Sequence, residues 1–156
     1  MKMEKNEKKI IASNRKAFHN YVIIESFEAG LVLEGYEVKS LRQANASLVD
    51  GIVRFDGNEA YLDNIHIAPY LQQSTHVIDY NPKRKRKLLM HKGEINRLYN
   101  RTREKGLALL PLELYFNKKN LVKVSIGLGK GKKSYDKRDV LRKRDINREM
   151  ERDIKK

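Results

Sequence analysis

Glycines and cations alternate in Gly127-Leu128-Gly129-Lys130-Gly131-Lys132-Lys133. Successive side chains of a strand point to opposite faces, so Gly127, Gly129 and Gly131 share one, where a nucleic-acid backbone can come close. Lys130, Lys132 and Lys133 would meet its phosphates. A P-loop opened by Gly127 would need its second glycine where Lys132 stands, and a G-x-G-x-x-G match fails at the same residue. A glycine hinge ahead of the last segment is compatible with this reading. Two other stretches carry similar chemistry. Lys83 to Lys87 reads KRKRK, a run that can touch phosphates from either side of an extended chain. Asn14-Arg15-Lys16, with Phe18, His19 and Tyr21, interleaves cations with rings that can stack on bases. Aromatics in strands are more often core, the reading preferred for Tyr21 and Phe27.

Enzyme chemistry finds little purchase. His19, His66, His76 and His91 are scattered, with no metal-ligand spacing. No serine sits in a G-x-S-x-G context. The chain has no cysteine, which excludes disulfides, thiolate zinc sites and thiol catalysis. No catalytic residue, metal or cofactor is assigned.

The charge balance says what the partner is. Thirty-four Lys and Arg against 20 Asp and Glu give +14, a field that draws polyanions by releasing their counterions. The longest apolar run, Leu107 to Leu112, is far too short to span a bilayer, and MKMEKNEKK is no signal peptide. A cytoplasmic nucleic-acid binder without membrane contact is expected.

The elements that must position these residues are mainly strands. Residues 1–9 read as a disordered basic arm. Ile10 to Leu33 reads as one or two strands bending at Gly30, and Glu34 to Gln43 as a short helix. Ile52–Phe55 and Ala60–Leu62 flank Asp56-Gly57-Asn58, a hairpin signal. Residues 68–82 read as loop. Ile95, Leu98, Tyr99 and Thr102 mark a second helix within 92–105, with Gly106 as its cap. Leu107–Phe116 and Leu121–Leu128 follow as strands around an Asn117–Asn120 turn. The fold class is mainly β with short helices, an OB-like antiparallel β-barrel over residues 10–131 with a disordered basic C-terminal tail, 132–156. In residues 136–156, fifteen of twenty-one are charged. Ile146, Met150 and Ile154 recur every four residues, which suits either a helix forming on an RNA surface or a solvated tail with accidental spacing.

Phe27-Glu28-Ala29-Gly30, Gly35 to Arg42 (GYEVKSLR), Ser74-Thr75-His76, Arg86-Lys87-Leu88-Leu89, Gly129 to Lys133 and Asp136-Lys137-Arg138 stand in the order and register of the SmpB family of SsrA-binding proteins. The chain resembles that family from about Ile10 to Arg138, with GYEVKSLR the most distinctive segment.

The resemblance implies an OB-like barrel and two partners, transfer-messenger RNA and the stalled 70S ribosome. The family binds the transfer-RNA-like domain of that RNA and delivers it to stalled ribosomes for trans-translation. Its tail occupies the decoding centre and messenger channel. By match of position, Glu28, Leu89 and Lys123 would contact the transfer-RNA-like domain, and Asn14 would belong to the same RNA-facing surface. Gly131, Lys132, Lys133, Tyr135, Asp136, Lys137 and Arg138 would serve in the decoding centre. Tyr135 stands where some members have His, and the tail lacks the Trp of others. A monomer is expected. A generic ribosomal or single-strand RNA-binding protein is the alternative function.

Overall fold

The computed structural model describes residues 8–70 and 80–132. Most of the Ile10–Leu33 stretch that reads as strand is strand, but a helix divides it in two. β1 (Lys9–Ser13) stops at Asn14, α1 (Arg15–Asn20) follows, and β2 (Tyr21–Leu31) then runs straight through Gly30. Asn14 causes the interruption. Its Oδ1 accepts from the Ala17 N–H, satisfying a donor that the first helical turn leaves unpaired. Nor is Gly30 a bend, because it is paired to a neighbour on each side, Lys123 and Leu89.

The other elements follow the local signals. α2 (Gly35–Arg42) starts from a capping box between Glu34 and Glu37. β3 (Ala46–Ser47), β4 (Ile52–Asp56), β5 (Glu59–Asp63) and β6 (His66–Ile67) come next. Gly57 turns the β4–β5 hairpin at φ +61°. β7 (Arg86–Leu89) leads to α3 (Lys92–Thr102), whose Ile95 and Leu98 are buried while Tyr99 and Thr102 are not. The helix caps at Arg103, so Gly106 (φ +85°) belongs to the turn that launches β8 (Leu107–Phe116). β9 (Val122–Gly131) completes the chain's second hairpin, turned at Asn120 with φ +59°.

Seven strands make one antiparallel sheet in the order β1-β8-β9-β2-β7-β5-β4, and β3 and β6 pair apart from it. Bulges at Ile10/Ala12, Ile23/Glu25 and Pro111/Glu113 bend the sheet. Pro111, which has no N–H for a ladder, occupies one of them. The sheet curls until β4 lies against β8, forming the expected barrel. Gly51 makes that closure possible: a Cβ there would lie 2.6 Å from Pro111 Cγ and 2.6 Å from Ile65 Cγ2. Leu41, Leu62, Ile65, Leu88, Leu98, Leu114, Val124, Ile126 and Leu128 fill the inside. A smaller cluster, Ala17, Leu110 and Leu112, forms where α1 covers part of the sheet's outer face.

Candidate nucleic-acid interface

β9, β2 and β7 lie side by side, and strand register decides what shares their outer face. Gly30 of β2 pairs with Lys123 of β9 on one side and with Leu89 of β7 on the other. The three therefore form a row pointing one way. Glu28 lies two residues back along β2, on the same face, opposite Ser125. Phe27, Ala29 and Leu31 point inward to the core. Three residues far apart in sequence, Glu28, Leu89 and Lys123, thus meet on one surface. Gly30 makes room for the leucine, since a Cβ there would come within 3.2 Å of Leu89 Cβ and 3.3 Å of its Cδ1.

These side chains suit RNA. Leu89 is 55% exposed, an apolar surface on which an unstacked base can lie. Lys123 has no ion pair or hydrogen bond among the described residues, so its ammonium is available to a phosphate. The Glu28 carboxylate accepts from the Tyr115 hydroxyl through Oε2, while Oε1 has no partner among the described residues. Tyr115 is paired with Lys123 across β8 and β9 and its ring lies beneath the Lys8 ammonium, 4.2 Å from the ring centroid. Burial, then the Glu28 hydrogen bond and charge, push the phenol well above its ordinary value, so Tyr115 stays a donor at any physiological pH.

Asn14 does not face outward. It is 2% exposed, its Nδ2 donates to the Leu48 and Pro111 carbonyls at 3.2 and 2.9 Å, and its Oδ1 caps α1. Expected on the RNA-facing surface, Asn14 is instead a buried support: it fixes α1, which presents Arg15, Lys16, Phe18 and His19 to solvent. Of these, Lys16 faces Asp50 at 3.6 Å.

The KRKRK run is also not what its composition implies. Arg86 is wholly buried, and Glu37, equally buried, lies between Arg84 and Arg86. Arg86 Nε donates to Glu37 Oε2 at 2.8 Å and its Nη1 to the Ile65 carbonyl at 3.1 Å. The Tyr80 hydroxyl lies 3.1 Å from Glu37 Oε2 and accepts from Arg86 Nη2 at 2.9 Å. Lys85 covers the Tyr61 ring and Lys87 pairs with Glu59. Burial alone would raise the Glu37 carboxyl, but hydrogen bonds from Arg84, the Glu34 backbone and Arg86 outweigh it and hold Glu37 below the ordinary carboxylate range. Burial and the Glu37 charge push Tyr80 up to about 12. The distinctive GYEVKSLR segment thus supplies the acid of a buried structural network. Sequence reading missed it because its partners lie 47 and 49 residues away.

The glycine strand is likewise filled from within. A Cβ on Gly127 would sit 2.7 Å from Leu112 Cδ1, and one on Gly129 would sit 3.0 Å from Tyr21 Cβ. Their face admits the protein's own side chains and leaves no room for an RNA backbone. Gly131 alone has open space. Lys130 is exposed and Lys132 half-buried at the end of β9. Lys133, Tyr135, Asp136, Lys137, Arg138 and Ser74-Thr75-His76 lie outside the described residues. Among the described residues, no His, Cys, Asp and Glu group could hold a metal, and no helix is long and apolar enough to cross a membrane.

A family model for SmpB protein matches residues 11–156. The SsrA-binding protein of Carboxydothermus hydrogenoformans is 53% identical over 147 residues, covering 94% of this chain and 97% of its own. That of Enterococcus faecalis is 48% identical over 153 residues, covering 98% and 97%, and that of Streptomyces coelicolor is 50% identical over 147, covering 94% and 91%. A solved structure described as "tmRNA-SmpB: a journey to the center of the bacterial ribosome" has TM-score 0.65 and 46% identity over 76% of this chain and 82% of the other. With the family model spanning nearly the whole chain and relatives at about half identity end to end, the chain belongs to the SmpB family.

Proposed function

We propose that this chain is a non-catalytic RNA-binding adaptor of the cytoplasm. It grips the transfer-RNA-like domain of transfer-messenger RNA on the outer face of β9, β2 and β7 and carries it to stalled 70S ribosomes for trans-translation. One observation carries the reading. Glu28, Leu89 and Lys123, picked out by position in three separate segments, converge on one exposed face with an open apolar side chain and, among the described residues, a free cation and an unoccupied carboxylate oxygen. The SsrA-binding proteins to which the chain is similar, and the tmRNA-SmpB structure it superposes on, support the same partners. The barrel over 10–131 is the RNA-binding unit, 1–9 an arm, and 132–156 the segment that, with Gly131 at the barrel's end, serves in the decoding centre through Tyr135, Asp136, Lys137 and Arg138. The protein acts as a monomer.

The test is binding to transfer-messenger RNA against excess unrelated structured RNA at fixed near-physiological salt, for wild type and Lys123→Ala. The wild type should hold its target under competition. Lys123→Ala should lose that advantage and lower the salt slope by about one unit. Equal, weak binding to every RNA would replace this reading with a generic ribosomal or single-strand RNA protein. The exposed Phe18 and His19 beside Arg15 are the observation favouring that second reading.

A further inference from the structure

The RNA-reading face has a side chain between its acid and its cation. Glu28 and Lys123 occupy diagonal positions on adjacent strands: Glu28 pairs with Ser125, and Lys123 is two residues further along β9. Diagonal neighbours are about 7 to 8 Å apart at the backbone, within reach of two long charged side chains. Yet they form no ion pair. Tyr115 enters from the strand beyond, paired with Lys123, and its hydroxyl crosses β9 to donate to Glu28 Oε2. The tyrosine is held in turn. It is 5% exposed, Lys8 lies over its ring, and that same Lys8 ammonium is 3.6 Å from Glu113 Oε1, which flanks Ser125.

We propose that Tyr115 is the positioning residue of this face: by tethering the Glu28 carboxylate across β9 it keeps Glu28 and Lys123 from closing on each other, so that each meets the RNA separately. The inference rests on the reading of this face as the contact for the transfer-RNA-like domain. Without the tether the carboxylate can turn to the ammonium, and the free cation and the specificity-bearing acid are lost together. A phenol suits the task because it is long enough to span a strand, cannot neutralise a carboxylate, and remains protonated.

The experiment measures the salt dependence of full-length protein binding to transfer-messenger RNA, with unrelated structured RNA as competitor. The variants are Tyr115→Phe, Glu28→Gln, Lys123→Ala and the double variant Tyr115→Phe/Glu28→Gln, each checked for a cooperative melt. Tyr115→Phe should lower the salt slope by about one unit, as Lys123→Ala does, and weaken preference over the competitor. Glu28→Gln should keep the wild-type slope, because Lys123 stays free, while losing preference over the competitor, because the acid is itself a contact. In the double variant the slope should return to the wild-type value, because a carboxamide cannot neutralise Lys123. A Tyr115→Phe slope equal to wild type overturns the proposal, and so does a reduced slope that Glu28→Gln fails to restore, since a merely structural tyrosine would not be rescued by that change. If Lys123→Ala itself leaves the slope unchanged, the reading of the face fails, and the proposal with it.

Discussion

At Glu37 one carboxylate with no exposed surface answers two guanidiniums, a phenol and a backbone N–H. Removing one member of such a set costs more than the set contributes, because the remaining charges stay buried without a counterion. Glu37→Ala should therefore destabilise the fold by about 3 to 5 kcal/mol, measured by urea unfolding. The pH dependence has a definite sign. A folded-state value below the ordinary 4.5 means the contribution is fully present above that pH and is lost as pH falls through the lower folded value. Compared with Glu37→Gln, which cannot titrate, the wild type should lose its stability advantage on acidification below about pH 4.5, and the gap between the urea midpoints should narrow. Lys123 illustrates the opposite case, a surface charge left without a partner among the described residues. Its loss should be felt in RNA binding, with little change in the melting temperature.

Among the elements, α1 is six residues long and depends on tertiary support. Asn14→Ala would remove its cap and leave the Leu48 and Pro111 carbonyls short of a donor in the interior, costing roughly 2 to 3 kcal/mol in chemical denaturation. Gly127→Val should cost about 1 to 3 kcal/mol by pressing on Leu112, which Ala17 backs from the other side. The hairpins at Gly57 and Asn120 were legible in the sequence because a hairpin is a local event, settled by turn residues and the alternation beside them. The strands after Gly106 and the two longer helices were legible for the same reason. α1 was not, since six residues span less than two turns and offer no period to read. Nor could composition show that KRKRK faces two ways, with Arg86 inward and Lys87 outward, because their acid partners arrive from β5 and α2. Glycine spacing was read as room for RNA, whereas Leu112 and Tyr21 take that room. Residue matches named Glu28, Leu89 and Lys123 from three separate segments, and only the register of three strands could show them as neighbours.

Over the whole molecule, the +14 charge is unevenly available. Much of the barrel's basic surface is engaged: Arg54 with Asp63, Lys87 with Glu59, and Arg97 and Arg101 with Glu25. Exposed pairs of this kind add little to stability, but they mute the field locally and leave Lys123 conspicuous. The hydrophobic core draws on residues between Ile11 and Leu128. A chain ending at Lys132 should therefore melt as the full chain does and keep its preference for transfer-messenger RNA, while losing the capacity to support tagging on stalled ribosomes. Calorimetry, competition binding and a reconstituted tagging assay would check the three parts.

β9 joins these scales. It carries Lys123 near one end and Gly131 at the other, paired with β2 and β8 along its length. Lys123 and Gly131 lie eight residues apart along the strand, about 26 Å at 3.3 Å per residue. If RNA is gripped at Lys123 as proposed, the strand is in effect a gauge, setting how far from it the tail begins. A single inserted residue would turn one end of that gauge over relative to the other. A change of two would keep the faces but lengthen the reach by about 7 Å. On the proposed function, the span between the two RNA partners is thus written into the length of one strand.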